Sequence, residues 1–330
     1  MQIGFFDVFV SVIALIILAV PGFIFAKAKL LPESATSTCS TIVLYGCQCA
    51  MIFMCFQNYE FNSKIGWNML LVAGLSIVVH FAVFGVGSLI VIGIDDKAIC
   101  MRYANVFSNC GFMGIPFLQM LFAGQEVLGE ILIYTAVILV VFNLLNWTLG
   151  VFIMTGDTKQ ISLKKVLLNP VIISIVIGFL FFIILKKPIV SFAEEGTLLH
   201  SFLSKIMNSI KVIGDMVTPL SMFVVGMRLA NIKLKNLFFE IKPYIVCLVK
   251  LIIMPLIVIL LVAFLPIAEE VKYVLFLLLA MPAASGTTLF AVNFGLDSDF
   301  ASVCVLLSTL LSIVTIPLMY LAFSGIINAI

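Results

Sequence analysis

The residues that decide the fold are Asn109-Cys110-Gly111-Phe112-Met113-Gly114-Ile115-Pro116 and Met281-Pro282-Ala283-Ala284-Ser285-Gly286-Thr287-Thr288. Each puts Gly and Pro in the middle of a long apolar run. A proline inside a helix removes one N–H and clashes with the preceding turn, and nearby glycines let the chain leave helical geometry. In hydrocarbon the freed backbone groups are tolerated only inside protein or beside a water-filled cavity. Two ordinary proline kinks would give the same residues, but a matched pair is the pattern of a transport site built from discontinuous helices.

The surrounding chain supplies the membrane. Of 330 residues 63% are apolar and 10% are charged, with mean hydropathy +1.29. A soluble surface needs about 25% charged residues. Apolar runs of about twenty residues suit a bilayer. They fall near 5–26, 36–56, 66–92, 98–122 and 128–154, then near 168–185, 206–230, 241–265, 271–292 and 300–323. The expectation is an all-α integral membrane protein with ten transmembrane helices. The first apolar stretch lacks a basic flank and is too long for a signal core, so it reads as a retained helix.

The breaks fall in the fourth and ninth spans. Pro116 and Pro282 are 166 residues apart (282 − 116), close to the 163 (168 − 5) separating the first and sixth spans. Two five-helix repeats are therefore expected, at 1–160 and 161–330. Five is odd, so the second must enter from the opposite face and the repeats are inverted. Eleven Lys and Arg side chains, among them Lys27, Lys29, Lys165, Arg228, Lys233 and Lys235, follow odd-numbered spans, against six on the other side. That places both termini outside.

The starts of the half-helices carry free N–H groups and partial positive charge, suited to a carboxylate. The substrate-binding candidates are Asn109, Gly111, Gly114, Pro116, Pro282, Ser285, Thr287 and Thr288. No Asp or Glu lies at mid-depth in spans two to six or eight to ten, so a cation exchanger built on a buried carboxylate lacks its central part. Three groups are candidates for charge or coupling. Lys250 lies roughly 13 Å into the eighth span at 1.5 Å per residue. It could favour an anion, snorkel to the interface, or bond a freed carbonyl. His80, in the third span, is either a packing residue or a proton-coupling group. Asp215 is spaced i, i+4 from Lys211, as in a structural ion pair.

Eight cysteines in mostly apolar surroundings form neither a disulfide framework nor a metal site; Cys47-x-Cys49 has no nearby His. No cofactor is expected. No Walker A, H-E-x-x-H or G-x-S-x-G motif occurs, and a net charge of +2 without a basic stripe offers nothing to nucleic acid. The expected activity is carriage of a small organic anion rather than catalysis; a channel or an anion-sensing receptor on the same scaffold is the alternative.

The same residues resemble a known family. Ser108 to Pro116, continuing to Gly124-Gln125-Glu126, is similar to the first signature of the auxin efflux carriers, in their bacterial branch of malate and malonate permeases. Pro282-Ala283-Ala284 through Phe294-Gly295-Leu296-Asp297, then Ser308 to Pro317, resembles the second. Pro21-Gly22, Asn169-Pro170, Pro219 to Gly226-Met227, and Lys250 with Pro255 are weaker matches. The resemblance implies fourth and ninth helices that cross at their breaks within a transport domain of helices three to five and eight to ten. It implies a scaffold of helices one, two, six and seven that dimerises, elevator-like alternation in the cell membrane, and a carboxylate held beside Asn109 and the two prolines. One departure stands out: where the family often has proline in the second helix, near Gly46 to Ala50, this chain has Cys47-Gln48-Cys49.

Overall fold

Backbone hydrogen bonds closed within each helix let these apolar segments sit in lipid. Eight helices are long and apolar enough to cross a bilayer by length and composition. The computed structural model describes residues 3–32, 34–57, 59–162, 164, 167–230 and 240–329. Lys165, Lys233 and Lys235, counted above for orientation, lie outside the described residues.

In chain order the eight are α1 (Phe5–Lys27), α2 (Ala35–Gln57), α3 (Ser63–Ile90), α5 (Leu128–Thr155), α6 (Pro170–Leu185), α7 (Leu198–Ala230), α8 (Lys242–Val262) and α10 (Ser298–Ala329). The two remaining apolar runs are each a pair of half-helices. These are α4a (Asp96–Val106) with α4b (Cys110–Leu121), and α9a (Glu269–Leu279) with α9b (Gly286–Asn293). Apart from one antiparallel bridge, Ser108 with Ala283, no strand pairing occurs among the described residues.

Local sequence sets the starts. The Asn169 carboxamide accepts from Val171 N–H at 2.9 Å ahead of Pro170, whose missing N–H costs nothing at the first helical position. Thr197 caps α7 by accepting from His200 N–H at 3.2 Å. This start lies eight residues before the expected Ile206. The first turns of α7 are amphipathic, and Ser201, Ser204 and Lys205 interrupt the apolar run although the helix continues. Lys211 and Asp215 consequently sit well inside α7, just before a bend at Met216. Pro219 cannot donate to the Asp215 carbonyl four residues earlier, which accounts for the bend.

α1 runs along α7, α2 packs on α6 and on the first half of α7, and α3 packs on α5 and both α8 and α9a. The α1–α7 contact is the closest: a Cβ at Gly226 would collide with the Ala19 carbonyl, and one at Gly22 with the Phe223 carbonyl. Small residues allow this approach where lipid gives no hydrophobic drive for association.

Four five-residue π-helical turns occur among the described residues, at Val43–Cys47, Cys110–Gly114, Asn146–Gly150 and Val249–Ile253. Such turns cluster at functional sites because each leaves a carbonyl without its helical partner. The first stands where proline was expected in the second helix. There the Cys49 thiol approaches the Leu44 carbonyl at 3.6 Å.

Candidate functional site

The two breaks meet. Asn109 N–H donates to the Pro282 carbonyl at 2.8 Å, and Ala284 N–H to the Phe107 carbonyl at 2.9 Å. This short antiparallel exchange ties the non-helical links together. Both half-helices entering it end there with their carbonyls, and both leaving it begin there with their N–H groups.

One face of the crossing is closed by side chains. The Ser108 hydroxyl donates to the Leu279 carbonyl at 2.9 Å, and the Lys250 ammonium donates to Ser108 Oγ at 2.6 Å and to the Asn105 carbonyl at 3.4 Å. Ser308 Oγ accepts from Ala283 N–H at 3.2 Å. Lys250 is 0% exposed, and no ion pair involves it among the described residues. Its charge lies where α4a and α9a end, where helix dipoles favour a cation. Lys250 thus bonds one freed carbonyl, that of Asn105, together with Ser108 Oγ and Met254 Sδ.

The other face is open. A cavity of about 150 Å³ is lined by Ser108, Asn109, Gly111 and Phe112 of the first break, by Ala284, Ser285 and Gly286 of the second, and by residues of α2, α5, α6 and α9b. One water needs roughly 10–15 Å³ by this measure. Gly111, Phe112, Ser285 and Gly286 donate no backbone bond outside their own helices among the described residues. The Asn109 carboxamide, 5% exposed, also has no partner there. Four amide donors and one carboxamide without protein acceptors among the described residues thus border one cavity, and an anion needs such donors.

The expected residues divide. Asn109, Gly111 and Ser285 line the cavity. Pro282 contributes its carbonyl to the crossing instead. Pro116 is buried near the start of the α-helical part of α4b, and Gly114 gives room to Leu278, whose methyl would lie 2.6 Å from a Cβ there. The Thr287 hydroxyl is spent on the Ala284 carbonyl at 2.7 Å, and Thr288 meets Ser302 at 3.2 Å. Asp215 pairs with Lys211 at 2.6 Å in an exposed position away from the cavity. His80 is fully buried. Its Nδ1 donates to the Ser76 carbonyl at 2.7 Å, while Nε2 has no partner among the described residues.

Four polar residues on the cavity wall are not among the site candidates drawn from the sequence: Gln48, Asn143, Asn146 and Asn169. Gln48 lies within the family departure, and its Nε2 would be 3.2 Å from a Cβ at Gly111. Asn169 Nδ2 donates to Asn143 Oδ1 at 3.1 Å, joining α6 to α5. Asn146 accepts from the Tyr103 hydroxyl, and the Tyr103 ring packs on Phe290 at 5.2 Å. The signal for them is Asn and Gln within the apolar runs 36–56, 128–154 and 168–185, where a polar amide needs a partner or a cavity.

The family model described as "Membrane transport protein" matches residues 7–320. The chain belongs to this family, the auxin efflux carriers. Comparison with curated proteins gives no match. As a member it is a multi-pass membrane transporter, and the members of this family are transporters rather than enzymes.

Proposed function

We propose that this transporter is a secondary carrier of a small organic anion, a carboxylate such as malate, malonate or an auxin-like acid, working by alternating access at the crossover. The observation that carries the proposal is the set of undonated amides at Gly111, Phe112, Ser285 and Gly286 around one cavity with Asn109. Such donors are worth more to an anion in a site shielded from water.

In this proposal the chain crosses the bilayer ten times, as inverted repeats 1–160 and 161–330, with α4 and α9 as the crossover helices. The antiparallel meeting of the two breaks is what repeats entering from opposite faces would produce. Helices α1, α2, α6 and α7 form a scaffold that dimerises, and α3 to α5 with α8 to α10 move against it. Support comes from the position of the cavity, whose wall joins Leu44, Tyr45, Gln48 and Asn169 of the first group to the crossover residues of the second. An elevator motion needs the substrate at that seam. The carrier sits in the cell membrane with both termini outside.

The test is uptake of radiolabelled malate or malonate into proteoliposomes. A carrier gives saturable uptake and counterflow. Flux without saturation or counterflow would make the cavity part of a channel, and binding without flux would make it a receptor.

A further inference from the structure

Phe112 lines the crossover cavity and is 7% exposed. It belongs to one buried apolar cluster with Val43, Val224 and Met227, against which Ala26 and Leu31 pack. Ala26, Leu31 and Met227 line a second hollow, about 470 Å³, with Lys27, Lys29 and Thr36. The apolar cluster that holds Phe112 thus borders both hollows, and the larger of them carries two lysines among the described residues.

The Arg228 guanidinium lies over the Phe112 ring, with Cζ 5.3 Å from its centroid. Its Nη2 donates to Ser40 Oγ at 3.1 Å, and Ser40 Oγ donates to the Thr36 carbonyl at 2.6 Å. No carboxylate pairs with Arg228 among the described residues. A guanidinium has five N–H donors in a planar fork, and a single hydrogen bond is made here among the described residues. Among the described residues no Lys or Arg lines the crossover cavity, and Lys250 is bonded to Ser108 on the other face. An anion entering that cavity loses its hydration and gains only neutral donors, so a charge along its route must offset part of the loss.

We propose that Arg228 is a carboxylate-binding residue on the route between the Lys27/Lys29 hollow and the crossover cavity, and that the Phe112 ring closes this route. The ring holds the guanidinium by cation–π contact while closed; displacing it presents the planar fork to the substrate carboxylate, which it matches in bidentate fashion. The inference rests on the organic-anion proposal for the same cavity.

The test uses Ser285→Cys in the full-length protein as a thiol reporter in the cavity. Its modification by an anionic and by a cationic methanethiosulfonate reagent is followed above the background of the native cysteines, from the Lys27 face. The anionic reagent should react faster, and adding Arg228→Gln should lower the anion-to-cation rate ratio about tenfold, the scale of one charge-assisted bond. Arg228→Lys, which keeps the charge without the fork, should retain part of the ratio, and it serves if the Gln variant does not fold. Phe112→Ala should raise both rates. An unchanged ratio in Arg228→Gln, a lost ratio in Arg228→Lys, or unchanged rates in Phe112→Ala would overturn the proposal. Should wild-type protein take up no malate or malonate while these ratios behave as stated, the route stands and the substrate assignment fails.

Discussion

The two faces of the crossover start from the same covalent pattern and finish with opposite chemistry. On the closed face Lys250, Ser108 and Ser308 bond groups freed by the breaks. On the open face the freed amides and Asn109 have no protein acceptor. A Gly/Pro break is therefore neither structural nor functional in itself. Its role depends on whether side chains from other helices reach the exposed backbone.

The largest expected effect breaks the closed face. Lys250→Ala leaves the Asn105 carbonyl without its ammonium partner and opens a void, so it should lower stability by about 2–4 kcal/mol. Detergent-solubilised protein should melt earlier, and uptake should be lost with it. Lys250→Met, which fills the space without donating, should recover part of the melting temperature. A melting temperature equal to wild type in Lys250→Ala would remove the contrast between the faces.

Asn109→Ala acts on the open face and should do the reverse. Loss of one bond to a charged ligand is worth about 1.5–3 kcal/mol, roughly 10- to 100-fold in half-saturation for malate uptake. The melting temperature without substrate should stay near wild type. Gln48→Ala should raise half-saturation only several-fold, about 1 kcal/mol, because its amide borders the cavity from α2 as a neutral group. An effect as large as that of Asn109→Ala would move the site toward the α2 wall.

The smallest effect lies outside the bilayer. Lys242 beside Asp95, at 2.9 Å, holds that carboxyl below the usual carboxylate range. A depressed folded-state pKa contributes stability that is present above the unfolded value and is lost as pH falls through the folded one. Asp95→Asn should therefore lower the melting temperature slightly at neutral pH, less so in high salt. The difference should disappear as the pH is taken below about 4. A difference that persists there would assign the effect to something other than the ion pair.

Membrane class, helical content, the two interruptions and the family were legible in the residues themselves. Apolar length reports the solvent directly, and a Gly/Pro cluster within such a run forces a break wherever it falls. The start of α7 was misplaced because a run-length count stops at polar residues, whereas helix formation continues through an amphipathic face. The structure separates candidates that the sequence places side by side. Thr287 and Ser285 are two residues apart, yet one hydroxyl is used on a backbone carbonyl while the other residue lines the cavity.

Composition and local backbone chemistry determined that this chain lives in lipid and where its helices must open, since both follow from nearest neighbours and from the solvent. Only the packed structure decided which freed groups Lys250 and Ser108 would occupy, and that Asn109 and Gln48 would face one hollow while Arg228 lies behind Phe112. Those outcomes depend on contacts between residues far apart in the chain, and no local pattern encodes which side of a crossing a distant helix will cover.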